Sequence, residues 1–196
     1  MAIIQPGGSG GGGGFANPMT TAGDLIVGGT GGAPTRLAAG AAGTFLGGAG
    51  TTYQYPPGFE IGYDQITSPV NVVSTTEATG TTIITCAAHT FDGSAVICEF
   101  FTPSVHQPTA AVGNVVVISL FESSTQVSRL GESFTFETAA SSSNSLVGKF
   151  RFTPTAGSHT YTVTAFASST TGTPLIQAGA LGTAALPPAY VRFTKV

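Results

Sequence analysis

From Phe59 to Val196 the chain is a succession of short apolar runs separated by turn residues, and no segment sustains a helical period. Nothing else in the sequence constrains the fold as strongly. A half-buried strand needs alternation in steps of two, whereas a helix needs apolar spacings of three and four. The clearest alternation is Lys149-Phe150-Arg151-Phe152, which puts both Phe on one face and both charges on the other. Tyr161, Val163 and Ala165 alternate with Thr160, Thr162 and Thr164 in the same way. Val115-Val116-Val117-Ile118 is unbroken, as expected of a strand buried on both faces or at a subunit contact. Strands are predicted near 61–63, 70–73, 81–86, 95–102, 112–122, 127–131, 133–138, 146–153, 160–168, 175–178 and 190–195. Asp92-Gly93 reads as a hairpin turn after Phe91. The Ser/Thr-rich runs 141–145 and 168–173 read as loops at one end of a sandwich. Ala38 to Ala42 is the one helix-friendly patch, and Gly40 and Gly43 interrupt it. The expected fold is therefore all-β, an antiparallel sandwich of the jelly-roll type.

Composition changes at Pro56. Most of the 28 Gly lie before it, whereas Val, Ile, Phe, Thr and Ser dominate after it. The expected organisation is an extended, Gly/Ala-rich arm over residues 1–56 and a jelly-roll domain over 57–196. Gly7 to Gly14 can adopt almost any backbone conformation. Gly47 to Pro57 reads as a hinge, with Tyr53 and Tyr55 pinning it and Pro56-Pro57 stiffening its exit. The stretch Asn17 to Leu46 carries only two charges, Asp24 and Arg36. It can bury little apolar area per residue, so ordering it alone costs more entropy than it recovers. It is expected to order against other chains.

Charge and motifs exclude several classes of function. Only 8% of residues are charged, against roughly 25% in typical soluble domains. That paucity suggests a surface largely buried in an assembly. With six basic residues scattered over a chain of net charge −3, no patch can displace the counterions of a nucleic acid. No apolar run approaches the roughly 20 residues of a membrane span, and Met1 to Pro6 lacks the basic start of a signal peptide. The expected route is synthesis and assembly in a bacterial cytoplasm. Gly8, Gly10 and Gly13 spell GxGxxG with no strand before and no helix after, and Leu25-Ile26-Val27 leads to no Walker lysine, so no nucleotide site is expected. Cys86 and Cys98 read as two buried small hydrophobes. His89, Asp92 and Ser94 lie around a turn, where such side chains usually hydrogen-bond the backbone. Glu132 and Glu137 differ in parity and point to opposite faces of a strand, and Glu99 reads as a polar-face residue. His89, His106 and His159 have no ligand spacing. No catalytic, cofactor or metal residue is expected.

Two groups of motifs carry a resemblance. Met19-Thr20-Thr21-Ala22-Gly23-Asp24-Leu25-Ile26, followed by Gly31-Gly32-Ala33-Pro34-Thr35-Arg36-Leu37-Ala38-Ala39-Gly40, resembles a repeat found in the tail fibres, head fibres and other surface proteins of tailed bacteriophages. Val27 stands where that family commonly has an aromatic. Further on, Ala88 to Ser94, Glu99 to Pro103, Tyr161 to Phe166 and the ending Pro188 to Val196 are similar to C-terminal domains of phage minor structural proteins, taken to be trimeric jelly rolls like tumour necrosis factor. The resemblance implies a non-enzymatic homotrimer on the virion surface, a capsid decoration or head-fibre protein. Its arm would attach to the major capsid protein or another virion protein through Asp24, Leu25, Ile26, Arg36, Leu37, Phe45 and Leu46. The alternative is a short tail-fibre or tip protein that binds a host surface glycan. The short chain favours the first, since a tail fibre usually has a long shaft, and the absence of Trp weakens sugar stacking in the second.

Overall fold

The alternating runs pair into antiparallel sheets. A computed structural model describes residues 18–30, 33–40, 43–46, 53–107, 113–134, 142–181 and 185–196. The arm at residues 1–16, the middle of the hinge and Glu137 lie outside the described residues. The chain divides into two compact units, Met1–Gln54 and Tyr55–Val196. Among the described residues there is no α-helix, and Glu77–Thr79 form a 3-10 turn.

The first unit holds two small ribbons. Strands β1 (Leu25–Gly28) and β2 (Pro34–Leu37) pair with Leu25 opposite Leu37 and Ile26 opposite Arg36. Strands β3 (Phe45–Leu46) and β4 (Tyr53–Gln54) pair with Leu46 opposite Tyr53.

In the second unit the strands in chain order are β5 (Glu60–Ile66), β6 (Val70–Asn71), β7 (Thr81–Thr85), β8 (His89–Asp92), β9 (Val96–Gln107), β10 (Val115–Glu122), β11 (Thr125–Phe134), β12 (Ser142–Phe152), β13 (Ala156–His159), β14 (Tyr161–Ala167), β15 (Leu175–Gln177) and β16 (Ala189–Lys195). One sheet centres on β9. Its first half pairs with β16, which pairs with β5; its second half pairs with β15, which pairs with β6; β12 runs along its other edge. The other sheet has the order β11-β10-β14-β7. Strands β8 and β13 form a separate ribbon.

A single apolar cluster draws on both sheets. Val96, Cys98, Phe100 and Phe193 come from one, and Ile84, Ile118, Leu120 and Val163 from the other. The sheets therefore enclose one core. Phe91, Tyr161 and Phe193 meet edge-on or tilted within it, at centroid separations of 5.1–5.8 Å, the arrangement that aromatic quadrupoles favour. Each such ring contributes about 2–3 kcal/mol through burial. The alternations survive: Phe150 and Phe152 pack against the core with Lys149 and Arg151 exposed, and Tyr161, Val163 and Ala165 are buried. Val116, Val117 and Ile118 are buried on both faces of β10 by this chain alone. β16 closes the sheet at the C-terminal end of the chain.

Several expectations are corrected. β9 runs past Pro103 to Gln107 because Pro103 falls where β9 changes partner from β16 to β15 and bulges against β12, so its missing N–H breaks no ladder. Ser142 to Ser145 is not loop but the start of edge strand β12. The strands expected at 127–131 and 133–138 are one continuous β11 within the described residues, its register shifts absorbed opposite β10. Gly93 does turn, at φ 83°, but β8 and β9 do not form a hairpin; β8 pairs with β13. His89 does not bond the backbone. Its Nε2 meets Asp64 Oδ2 at 2.6 Å.

Candidate functional site

In the first unit Asp24 is the organising residue. Gly23 has φ +90°, a conformation suited to glycine, and this turns the chain so that Asp24 faces back onto it. Asp24 Oδ2 accepts from the backbone N–H groups of Thr20 and Thr21, both at 2.9 Å, and from Arg36 Nε at 2.7 Å. Oδ1 accepts from Arg36 Nη2 at 3.2 Å and from the Ala39 N–H at 3.0 Å. A two-pronged guanidinium contact of this kind sets geometry as well as charge. The Arg36 bonds hold the Asp24 carboxyl well below the usual carboxylate range, against the opposing effect of burial, with the three backbone N–H groups adding to them. Asp24 thus ties together the turn before β1, the strand β2 and the chain after it. Gly40 continues the tight packing, because a Cβ there would lie 2.4 Å from the Tyr53 ring.

The seven residues expected to attach the arm therefore divide in two. Asp24, at 6% exposure, and Arg36 are spent inside the unit. Leu25 (41% exposed), Ile26, Phe45 (46% exposed) and Leu46 are exposed, and Leu37 is half-buried. Met19 is a further exposed apolar residue that sequence reasoning missed, although it stands within the same motif.

The second unit has a different feature, on the face of the β9 sheet that points away from the core. Tyr190 lies opposite Phe101, which lies opposite Val147. Tyr63 stacks on Tyr190 at 5.3 Å, and Tyr190 meets Phe101 at 5.5 Å. Tyr63, Ile97 and Val147 are exposed, Val147 to 60%. Glu99 sits in the middle of this face. Its Oε1 accepts from the Tyr190 hydroxyl at 2.8 Å and pairs with Arg192 at 3.0 Å, and Oε2 pairs with Lys149. Burial alone would raise the Glu99 carboxyl, but the bonds from Lys149, Tyr190 and Arg192 together bring it below its ordinary value. Glu99 is a polar-face residue as expected, yet only 6% exposed. The aromatic row went unread because Tyr63, Phe101 and Tyr190 are far apart in the chain.

The groups with chemical potential have structural partners. His159 Nδ1 meets Glu122 Oε1 at 2.5 Å, and its ring packs on Phe91 and Tyr161. Cys86 and Cys98 are buried free thiols. Burial, with the nearby Asp64 charge, pushes the Cys86 thiol up to about 12, the reverse of what a nucleophilic cysteine needs. Asp92 accepts from the N–H groups of Tyr55 and Ser94, so it does serve the backbone. Among the described residues no group of three or more His, Cys, Asp or Glu could hold a metal ion, and no helix is long and apolar enough to cross a membrane. No protein-family model and no curated protein matches the chain.

Proposed function

We propose that the chain is a non-enzymatic structural protein of a tailed-phage virion, a trimeric capsid decoration or head-fibre protein that docks through its N-terminal unit. The observation that carries this reading is the Asp24–Arg36 clasp in a unit that also exposes Leu25, Ile26, Phe45 and Leu46. A buried five-bond carboxylate presets the backbone, and apolar side chains of the same unit stay partly exposed in the monomer. That combination suits a docking element, since a preorganised backbone loses less entropy on binding. The clasp, Leu25 and Ile26 lie within the phage-like motif, and Phe45 and Leu46 follow it.

Strand order supports the jelly-roll part of the reading. Leaving aside the short strands, the chain visits the two sheets in the order β5, β7, β9, β10, β11, β12, β14, β16, with rows β5-β16-β9-β12 and β7-β14-β10-β11. Eight strands interleaved in that way are the arrangement of a double Greek key. We place the contact between copies on the Tyr63, Phe101, Tyr190 and Val147 face. Glu99 there is already paired with Lys149 and Arg192, which lowers the cost of desolvating these three groups at a contact. Three docking elements on one trimer would then bind with avidity set by their high effective concentration.

Immunogold labelling of intact virions with antibody against residues 57–196 tests the reading. Label over the head is the expected result. Label at the tail tip would transfer the protein to the tail-fibre class, and the absence of label on any particle would overturn the virion assignment.

A further inference from the structure

The outward face of the second sheet carries a groove of about 260 Å³ that the assembly reading does not use. Its floor is made of cross-strand neighbours: Thr82 lies opposite Thr164, and Thr162 opposite Phe121. The 3-10 turn Glu77–Thr79 forms one wall, and the β10–β11 turn, Ser123-Ser124, forms the other. The first wall is fixed by the bonds of Glu77. Glu77 Oε1 accepts from Ser119 Oγ at 2.7 Å, Gln126 Nε2 at 2.7 Å and Arg129 Nε at 2.9 Å, while Oε2 meets Arg129 Nη2 at 2.7 Å. Gly80 brings the first wall down onto β14, where an added Cβ would lie 2.9 Å from Thr164 Oγ1. Ser123 holds a left-handed φ of 54°, which costs energy for a side chain other than Gly or Asn and marks the second wall as locally strained.

The chemistry of this groove is specific. Among the described residues, the hydroxyls of Thr82, Thr162, Thr164, Ser123 and Ser124 have no protein hydrogen-bond partner, although all five line one recess. Each can donate and accept. The carboxylate in the wall is neutralised by Arg129, and Glu77 Oε2 still has accepting capacity beyond its one bond. Ala78 and the accessible edge of Phe121, 8% exposed, add a small apolar surface to the lining. The volume lies just below the roughly 300 Å³ at which sites for drug-sized ligands begin, which suits a single ring.

We propose that this groove binds one pyranose ring of a neutral carbohydrate. A ring bearing several hydroxyls matches interchangeable donors and acceptors, and its C–H face matches Phe121. A charged ligand finds no unpaired countercharge, because Arg129 and Glu77 already satisfy each other. The site gives the glycan-binding alternative a location on a sheet face instead of on the Ser/Thr loops, and it does not rest on the capsid reading.

The test is titration of the full ¹⁵N-labelled chain with D-glucose, D-galactose, D-mannose and N-acetyl-D-glucosamine, followed by amide chemical shifts. The expected result is saturable shifts at residues 77–82, 121–125 and 162–164 with at least one sugar, at a Kd of about 1–10 mM, or roughly −4 to −3 kcal/mol. Thr162→Val and Thr164→Val replace outward hydroxyls by methyls on strands that favour β-branched residues, so the fold persists. Each should weaken binding about tenfold. Absence of saturable shifts with all four sugars, or undiminished binding by both variants, would overturn the proposal. Shifts confined to residues 168–173 would overturn the groove while leaving glycan binding by this chain standing. Equal affinity for N-acetylneuraminic acid would overturn the neutral specificity.

Discussion

At the scale of single residues, two carboxylates hold their surroundings, Asp24 through backbone N–H groups and Arg36, and Glu77 through side chains, and both can be tested by titration or substitution. Asp24→Asn keeps the shape of the side chain but removes the charge and places an NH2 group where N–H donors converge. The expected outcome is faster amide hydrogen exchange across Leu25–Gly28 and Pro34–Leu37, with the second unit unaffected. Arg36→Lys should not rescue protection, because an ammonium cannot span both carboxylate oxygens. Unchanged exchange in Asp24→Asn would remove the clasp from the argument. Glu77 gives a pH dependence. Its bonds to Arg129, aided by Ser119 and Gln126, lower its pKa from 4.5 to about 2. A carboxylate whose folded pKa is depressed contributes stability that is present above 4.5 and lost as the pH falls toward about 2. With Arg129 half exposed, the screened contribution is about 1–2 kcal/mol. Urea midpoints measured at pH 5 and pH 2.5 should therefore differ less in Glu77→Gln than in the parent chain. An equal difference in both would mean that Glu77 supplies none of it.

At the scale of elements, a close approach joins β11 and β12, neighbouring strands that belong to different sheets. A Cβ on Gly148 would lie 1.9 Å from the Leu130 carbonyl oxygen, and backbone cannot swing aside as a side-chain tip can. Gly148→Ala is expected to cost about 3 kcal/mol or more, read as a lower urea midpoint with an unchanged m-value. A cost below about 1 kcal/mol would show that the two strands separate freely. Sequence reading could not anticipate this contact, since it depends on how edge β12 leaves one sheet beside edge β11 of the other. Alternation identified β12 and β14 because a face buried on one side writes itself into every second residue. It did not foresee the extension of β9 past Pro103, which depends on a change of partner strand, or the strand at Ser142–Ser145, whose exposed edge needs no apolar residues. The same limit applies to the candidate sites. Asp24 and Arg36 stood out as lone charges in a Gly-rich run, but their pairing across twelve residues required the β1–β2 register. The groove hydroxyls belong to Thr and Ser residues of β7, β14 and the β10–β11 turn, and no local spacing links them.

At the scale of the whole molecule, the question is whether the aromatic face of the β9 sheet belongs to water or to another copy. A low overall charge leaves both open, since Ser and Thr also solvate a surface. The arrangement of this face weighs toward burial. Lys149 and Arg192 converge on Glu99, which is itself nearly inaccessible, while Tyr63, Ile97 and Val147 stand exposed beside them and Arg151 is exposed on the same face of β12. A sheet face left to water normally gathers few large apolar side chains, and here three stand exposed together. Val147→Lys separates the two cases. At 60% exposure Val147 contributes little to the monomer's core, so the variant should fold with an unchanged urea midpoint in its monomeric form. In a trimer, the substitution would bury three new ammonium groups beside the existing Lys149 and Arg192, at a cost of several kcal/mol each. Light scattering of the full chain at micromolar concentration should give a trimer mass for the parent and a monomer mass for the variant. A parent that is monomeric would refute the trimer. A variant that remains trimeric would move the interface to another face, and the opposite sheet, with its half-buried Thr rows, would then be the surface to examine.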